Sequence, residues 1–304
     1  MFCLFLIRFI IYKAPGEIIP RSNPRRYNNK MNYLYIDSAN SKSYMHNRPD
    51  YKNLKDPSGA LAHTLRPVLK KIRNMVRPLV WSNRPGVWLL HSTPQFPFRR
   101  DQNNFWPESG LQLAQTFICV TFNYNQFIQI AQCQRECECK RVLKGSMFQK
   151  DRKCFKCSLI LLQMETCTTL LPRQFRVMCM QTWPCQKDRA DSDCSGPNHV
   201  YNIKTIKKVL GPASTWSPTK DHSKWCVTNS ESNSEWTCIA DVNRAQTQYQ
   251  RRGGALCIEN RDVRDKFWEF AREFDECSTT PTTMDTSDCE PDSKIIHLDP
   301  SVTG

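Results

Sequence analysis

Nine of the sixteen cysteines in this 304-residue chain fall between Cys133 and Cys194, and that crowding restricts what the chain can be. Enzymes of reducing compartments rarely keep so many thiols, so the count points to an oxidising compartment or a metal site. An ordinary disulfide framework would spread its cysteines more evenly. Within the cluster, Cys154-Phe155-Lys156-Cys157 is a C-x-x-C, a spacing that opens zinc sites. The second pair at ribbon spacing is missing, because the upstream run is Cys133-x3-Cys137-x-Cys139. Scattered disulfides, or a segment that does not fold, is the preferred reading. No metal and no cofactor are expected.

Outside the cluster the chain has the apolar content of a soluble globular protein. Apolar residues make up 39%, the mean hydropathy is −0.59, and no run is long enough to span a membrane. A length of 304 residues buries a substantial core as one large or two small domains. The net charge of +14 favours a polyanion partner, since lysines and arginines that neutralise phosphates release condensed counterions. A basic surface with no particular ligand remains the alternative. Residues 2–12 are apolar apart from Arg8, as in a signal peptide, but a basic leader and a small-x-small cleavage site are missing. A buried first strand is the better reading. No N-x-[ST] sequon occurs.

Periodicity gives the remaining elements. Short strands and loops are expected over 9–68. A helix is expected over 59–76, where Leu61, Leu65, Val68, Leu69 and Ile72 keep helical spacing. An apolar strand should run from Gly86 and stop at His91, and another should span Thr116–Phe122. From Gln132 to about Ala190 no period survives. "HVYNIKTIKKVLG" at 199–211 reads as an amphipathic helix, with His199 at the surface. Residues 261–277 read as a second helix whose stripe of Val263, Phe267, Phe270 and Phe274 is core. The tail, 278–304, has the composition of a disordered segment.

His222 and Lys224 in "DHSKWC" are spaced so that a strand would present both on one face. A lysine can hold a phosphate oxygen while an imidazole attacks phosphorus or protonates a leaving oxygen. Alone, H-x-K is weak. Here it is followed by "WTCIADVNR" (236–244) and "QRRGGALC" (250–257), and preceded by "IIYKAP" (10–15), "YLYIDS" (33–38), "DPSGALAHTLRPV" (56–68) and "WLLHSTPQFP" (88–97). Taken in order, these segments closely resemble the deoxyribonuclease II family, acid endonucleases related to the phospholipase D superfamily. The resemblance covers about residues 9–68, 86–127 and 192–277.

The resemblance implies an α/β fold, a phospholipase D-like pseudo-two-fold sandwich with mixed sheets, each half supplying one H-x-K to a central site. It implies a metal-independent reaction on DNA: one histidine attacks phosphorus, the other protonates the departing 5′-oxygen, and water releases a 3′-phosphate end. His222 and Lys224 match the second H-x-K. Asp241 and Asn243 fall in its supporting D-x-N segment. Gly253 and Gly254 would let backbone approach the phosphate, and His91 matches a histidine near the site. The family's disulfides would join Cys238 to Cys257 and Cys194 to Cys277, leaving Cys226 an unpaired buried thiol. By family the protein is secreted or lysosomal.

Three departures accompany the match. The interval 69–85 should hold the first H-x-K but contains no histidine, and of the six histidines only His222 has a lysine two residues later. The family's leader is replaced by "MFCLFLIRF", and 132–190 does not resemble the family's middle region. Such lesions are what an incomplete gene model or a degenerate copy leaves. The expected organisation is an N-terminal half (1–131) missing its first motif, a poorly ordered cysteine-rich segment (132–190), a C-terminal half (191–277) carrying the H-S-K motif, and the tail. With one H-x-K the chain is expected to cut DNA poorly or to bind it without cutting, unless two copies pair as a homodimer.

Overall fold

The computed structural model describes residues 5–21, 27, 31–37, 43–44, 52–69, 86–122, 142–148, 154–160, 177–186, 188–197, 199–208, 214–230, 234–249, 254–277 and 289. It is a mixed α/β structure, mostly strands, in several sheets. The N-terminal apolar run forms β1 (Phe5–Lys13), and β2 (Tyr33–Ile36), β3 (Ser43–Tyr44), β4 (Gly86–His91) and β5 (Gln115–Phe122) join it in the order β3-β2-β1-β5-β4. The expected strand at 116–122 is therefore one residue longer. The run ending at His91 is an edge strand, which explains why a wholly apolar segment is only half-buried.

Side-chain alternation sorts this sheet into two faces. On β5, Ile118, Val120 and Phe122 face one core, while Phe117 and Cys119 face another. A bulge between Ile7 and Phe9 on β1 shifts the alternation by one, so Ile7, Ile10 and Tyr12 share a face while Phe9 and Ile11 take the other. The outer face is covered by α1 (Ala60–Leu69), whose Leu61, Leu65 and Leu69 are buried. Val68, expected on that stripe, is 49% exposed, and Ile72 lies outside the described residues.

The inner face packs against a second sheet made of β8 (Val177–Gln181), β9 (His199–Asn202), β12 (Trp225–Thr228), β13 (Trp236–Ala240) and β14 (Ala255–Glu259), in the order β14-β13-β12-β8-β9. Trp225, Val227, Ile239, Leu256 and Ile258 point into the shared core, and Cys226, Cys238 and Cys257 to the opposite face. Both sheets are mixed: β8 and β9 are parallel, as are β1 and β6 (Val142–Phe148), which forms a hairpin with β7 (Cys154–Ile160). Two further strands, β10 (Ile206–Lys208) and β11 (Ser214–Trp216), pair with each other.

Three expectations need correction. Residues 132–190 were expected to be poorly ordered, yet they supply β6, β7 and β8, and β8 is the strand beside β12 in the second sheet. Its "VMCMQ" alternates cleanly, Cys179 inward and Met178 and Met180 outward, but methionine and cysteine carry no strand signature of their own. The amphipathic helix expected at 199–211 is, over the described residues 199–208, instead β9 and β10: β9 lies parallel to β8, the Val200 backbone exchanges two hydrogen bonds of 2.8 Å with Asp193, and Val200, Thr205 and Ile206 are β-branched. The C-terminal helix ends early. Among two short helices, α2 (Ser109–Gln112) and α3 (Gln246–Tyr249), and this longer one, α4 spans Arg261–Phe270, capped by Asn260, whose Oδ1 accepts from the Val263 amide at 2.9 Å. Ala271 then turns extended to pair with Ile206, and Phe274 stacks on Trp268 from outside the helix. Val263, Phe267 and Phe270 are core as expected.

Disulfides join Cys238–Cys257, Cys194–Cys277 and Cys185–Cys289. The first two are the pairs the resemblance implies, and the third was not foreseen. Cys226 is a buried free thiol, as are Cys119 and Cys179. The C-x-x-C side chains, the interval 70–85 and nearly all of the tail lie outside the described residues. No helix among the described residues is long and apolar enough to cross a membrane.

Candidate active site around His222 and Lys224

Residues 218–224 lie where the two sheets meet. Pro218–Lys220 form a single 3-10 turn capped by Ser217, and the chain then runs extended into β12, so His222 and Lys224 precede the strand instead of lying on it. The first sheet holds this segment directly. Ala114, just before β5, donates to the Lys220 carbonyl at 3.0 Å and accepts from the His222 amide at 3.0 Å. Gly16 and Lys13, at the end of β1, bond in turn to the Gln112 and Leu111 carbonyls, and a Cβ on Gly16 would strike the Leu111 carbonyl oxygen.

Asp221 is the anchor of the junction. Its buried carboxylate accepts from the Tyr12 hydroxyl at 2.5 Å, the Trp216 indole at 2.9 Å and the Ser223 amide at 2.8 Å. The Gln181 side-chain amide donates to its carbonyl at 3.1 Å. Tyr12 comes from β1, 209 residues away, and Gln181 from β8, so Asp221 ties both sheets to its own loop. Tyr12 also packs among Trp216, Trp225, Phe267 and Phe270, with centroid distances of 4.7–6.2 Å. Burial pushes the Asp221 carboxyl above its ordinary range against the pull of these hydrogen bonds.

His222 is 9% exposed and Lys224 7%. The Lys224 ammonium donates to the His222 carbonyl at 2.6 Å, which places the cation against the histidine's own backbone. Burial lowers Lys224 to about 8, opposed by Asp221 and Asp241. Burial, and then Lys224, lowers His222 to about 3, so its imidazole is neutral throughout the mildly acid range. The ring meets Trp183 edge-on at 4.4 Å, and its Nε2 is buried without a hydrogen bond. A neutral imidazole with a free ring nitrogen beside a buried ammonium is equipped to attack an electrophile and to hold an anion.

The D-x-N segment supports this arrangement at one remove. Asn243 Oδ1 accepts from the Trp183 amide at 3.3 Å, and its Nδ2 donates to Gln186 at 3.0 Å, so Asn243 fixes the tryptophan against which His222 rests. Asp241 Oδ1 accepts from the Gly254 amide at 2.8 Å, which ties β13 to β14. That amide is therefore engaged within the fold and not directed at a ligand, and Gly253 lies outside the described residues.

His91 is in different surroundings. Its ring packs on Phe96 at 5.0 Å and Phe117 at 5.8 Å, among the aromatic residues of the outer face of the first sheet. Burial lowers it to about 4. Among the described residues no hydrogen bond or ring contact joins it to His222. Trp183, Asp221, Tyr12, Gln181 and Trp216 were not singled out from sequence. Asp221 stands next to the motif and offered the best signal, whereas Trp183 lies in the segment expected to be unlike the family. Among the described residues no group of three or more His, Cys, Asp or Glu is placed to hold a metal ion.

The family model for deoxyribonuclease II matches residues 77–139 and 164–277. Of the stretch 132–190, expected not to resemble the family's middle region, it thus includes 132–139 and 164–190 and leaves 140–163 outside. Deoxyribonuclease-2-beta of Homo sapiens is 26% identical over 328 residues, covering 88% of this chain and 88% of that protein. Deoxyribonuclease-2-beta of Rattus norvegicus is 30% identical over 234 residues, covering 66% and 65%. Plancitoxin-1 of Acanthaster planci is 29% identical over 238 residues, covering 66% and 64%. The aligned length with the human protein exceeds the 304 residues of the whole chain, so that relative carries stretches which this chain lacks.

Proposed function

This chain belongs to the deoxyribonuclease II family, and from that premise we propose that it is a DNA phosphodiesterase scaffold carrying one working half of a two-histidine site. The two stacked sheets are read as the phospholipase D-like, pseudo-two-fold sandwich of the family. His222 is the nucleophile. Its Nε2 lone pair attacks the DNA phosphorus while Lys224 holds a non-bridging oxygen. The bond to the 5′-oxygen breaks, and water then cleaves the phosphorus–nitrogen bond to leave a 3′-phosphate end and regenerate the imidazole. Asp241 and Asn243 support the site from behind. The reaction as written draws on no metal.

The observation that carries this reading is the His222 Nε2, buried without a hydrogen bond among the described residues and beside the Lys224 ammonium; the lowered pKa of the ring is compatible with a nucleophile at acid pH and disfavours it as the acid. The departing 5′-oxygen needs a proton from a second group. His91, lowered to about 4 and enclosed by aromatic rings, is not poised to give one at pH 5. This supports slow or absent turnover in the chain as it stands, with DNA held and not cut.

Plasmid nicking at about pH 5 with a chelator tests this. The expected result is salt-dependent DNA binding with at most a trace of nicking, and His222→Ala removes that trace. Losing one member of a cooperating set typically costs several orders of magnitude. Nicking at the rate of an intact family enzyme, lost in His222→Ala, would show that a second acid is present and would overturn the half-site reading. An elution profile run alongside decides whether two copies pair and so bring two His222 residues together.

A further inference from the structure

The connection from β4 to β5, residues 92–114, is fixed at both ends and reaches His222 at its second end. At its start, Ser92 accepts from the Thr116 amide at 3.0 Å and donates to Gln115 at 2.6 Å. At its end, Ala114 bonds to Lys220 and His222. In between, the chain is firmly held. Phe96 is buried against His91, Phe105, Trp106 and Phe117, the Phe98 amide donates to the Phe105 carbonyl at 2.7 Å, and Gln102 reaches the Pro57 carbonyl at 2.7 Å. On this rigid base Phe98 faces outward, 47% exposed. The Arg99 guanidinium lies over its ring, 5.3 Å from the centroid, and Arg99 and Arg100 are exposed without an ion pair among the described residues. The adjacent Asp101 carboxylate is taken up by its own turn, accepting from the Asn103 amide at 3.0 Å.

A single exposed phenylalanine is ordinary on a protein surface. An exposed ring fixed by its backbone and followed by two arginines without an ion pair among the described residues, on a chain of net charge +14, is not placed for an apolar protein partner. Its chemistry matches a nucleotide: an aromatic face for the base and cations for the phosphates on either side. We infer that Phe98, with Arg99 and Arg100, is a stacking platform for an unpaired base of a DNA strand that leads toward His222. This rests on the DNA reading above, and it adds a preference for single-stranded or locally opened DNA that His222 and Lys224 alone do not specify.

Fluorescence anisotropy with short labelled DNA in chelator tests the inference, using a single strand, its duplex and an abasic single strand. Phe98→Ala should weaken single-strand binding by about 10-fold and leave duplex binding nearly unchanged, while Phe98→Trp retains the wild-type affinity. The wild-type chain should lose a similar factor on the abasic strand. Arg99→Ala with Arg100→Ala should weaken both forms and reduce the salt slope by about 1–2. Equal binding by wild type and Phe98→Ala, or an equal loss on duplex and abasic DNA, overturns the stacking platform while sparing the DNA reading. A wild-type chain that binds no DNA overturns both. Thermal melting of Phe98→Ala should match wild type, because the ring is outside the core.

Discussion

His222 is buried and His91 half-buried, and desolvation lowers both, yet only His222 lies in a polar frame. His91 ends an edge strand and points into rings of Phe96 and Phe117. His222 has a lysine ammonium against its carbonyl, a tryptophan edge at its face and a backbone bonded to the opposite sheet. Desolvation lowers both pKa values, so a depressed histidine is no mark of a reactive one. What separates them is the polar frame. That frame depends on Asp221, a residue that touches neither ring.

The largest effect that should break this comparison comes from removing the frame. Asp221→Ala leaves the Tyr12 hydroxyl, the Trp216 indole and the Ser223 amide without their acceptor, and should cost about 3–5 kcal/mol in denaturant unfolding. His91→Phe, which only exchanges one ring for another in an aromatic nest, should cost less than about 1.5 kcal/mol. Similar losses for both would mean that the two histidines are not held differently. Next in size is the disulfide. Cys238→Ser opens a covalent loop of 19 residues and should cost about 3 kcal/mol. Cys226→Ser, which breaks no crosslink, should cost less, and a reversal of that order would show the bond to be incidental to the second sheet.

A third contrast is the pH dependence. His222 and His91 titrate at about 3 and about 4 when folded and near 6.5 when unfolded, so between these values the unfolded chain binds more protons. Stability should therefore rise with pH across the window from about 3 to 6.5. Asp221, raised in the folded state, opposes part of that rise above its ordinary value. Melting temperatures taken through the window should climb, and His91→Phe should flatten the climb without abolishing it, because His222 remains. A flat profile in the wild-type chain would show that neither ring is as buried as the structure places it.

Local pattern accounted for the parts whose burial is local. The stripe on α4, the apolar runs of β4 and β5 and the strand at the N-terminus each carry their own period. It failed where a distant partner decides. Residues 199–208 alternate too loosely to announce two strands, and only their partners, β8 for β9 and β11 for β10, make that pairing favourable. Trp183 sits in a stretch with no period at all, and its place against His222 is set by Asn243 sixty residues later. The H-S-K motif stood out through its chemistry and its company, whereas the acceptor of the Tyr12 hydroxyl could not be read from either segment alone. Cys289 was equally hidden, since a bridge to Cys185 crosses a separation of 104 residues.

The bond between Tyr12 and Asp221 spans a separation of 209 residues, and the ring of Tyr12 then packs on Phe267 and Phe270. A contact of that range closes late, because most of the chain must exist and be ordered before its two ends can meet. During synthesis the first sheet can form while Asp221 is still untranslated, and the rings that enclose Tyr12 are incomplete until α4 has emerged. The junction around Asp221 and His222 is therefore among the last things this polypeptide completes, and a ribosome that stalls before residue 270 releases a chain in which it is unfinished.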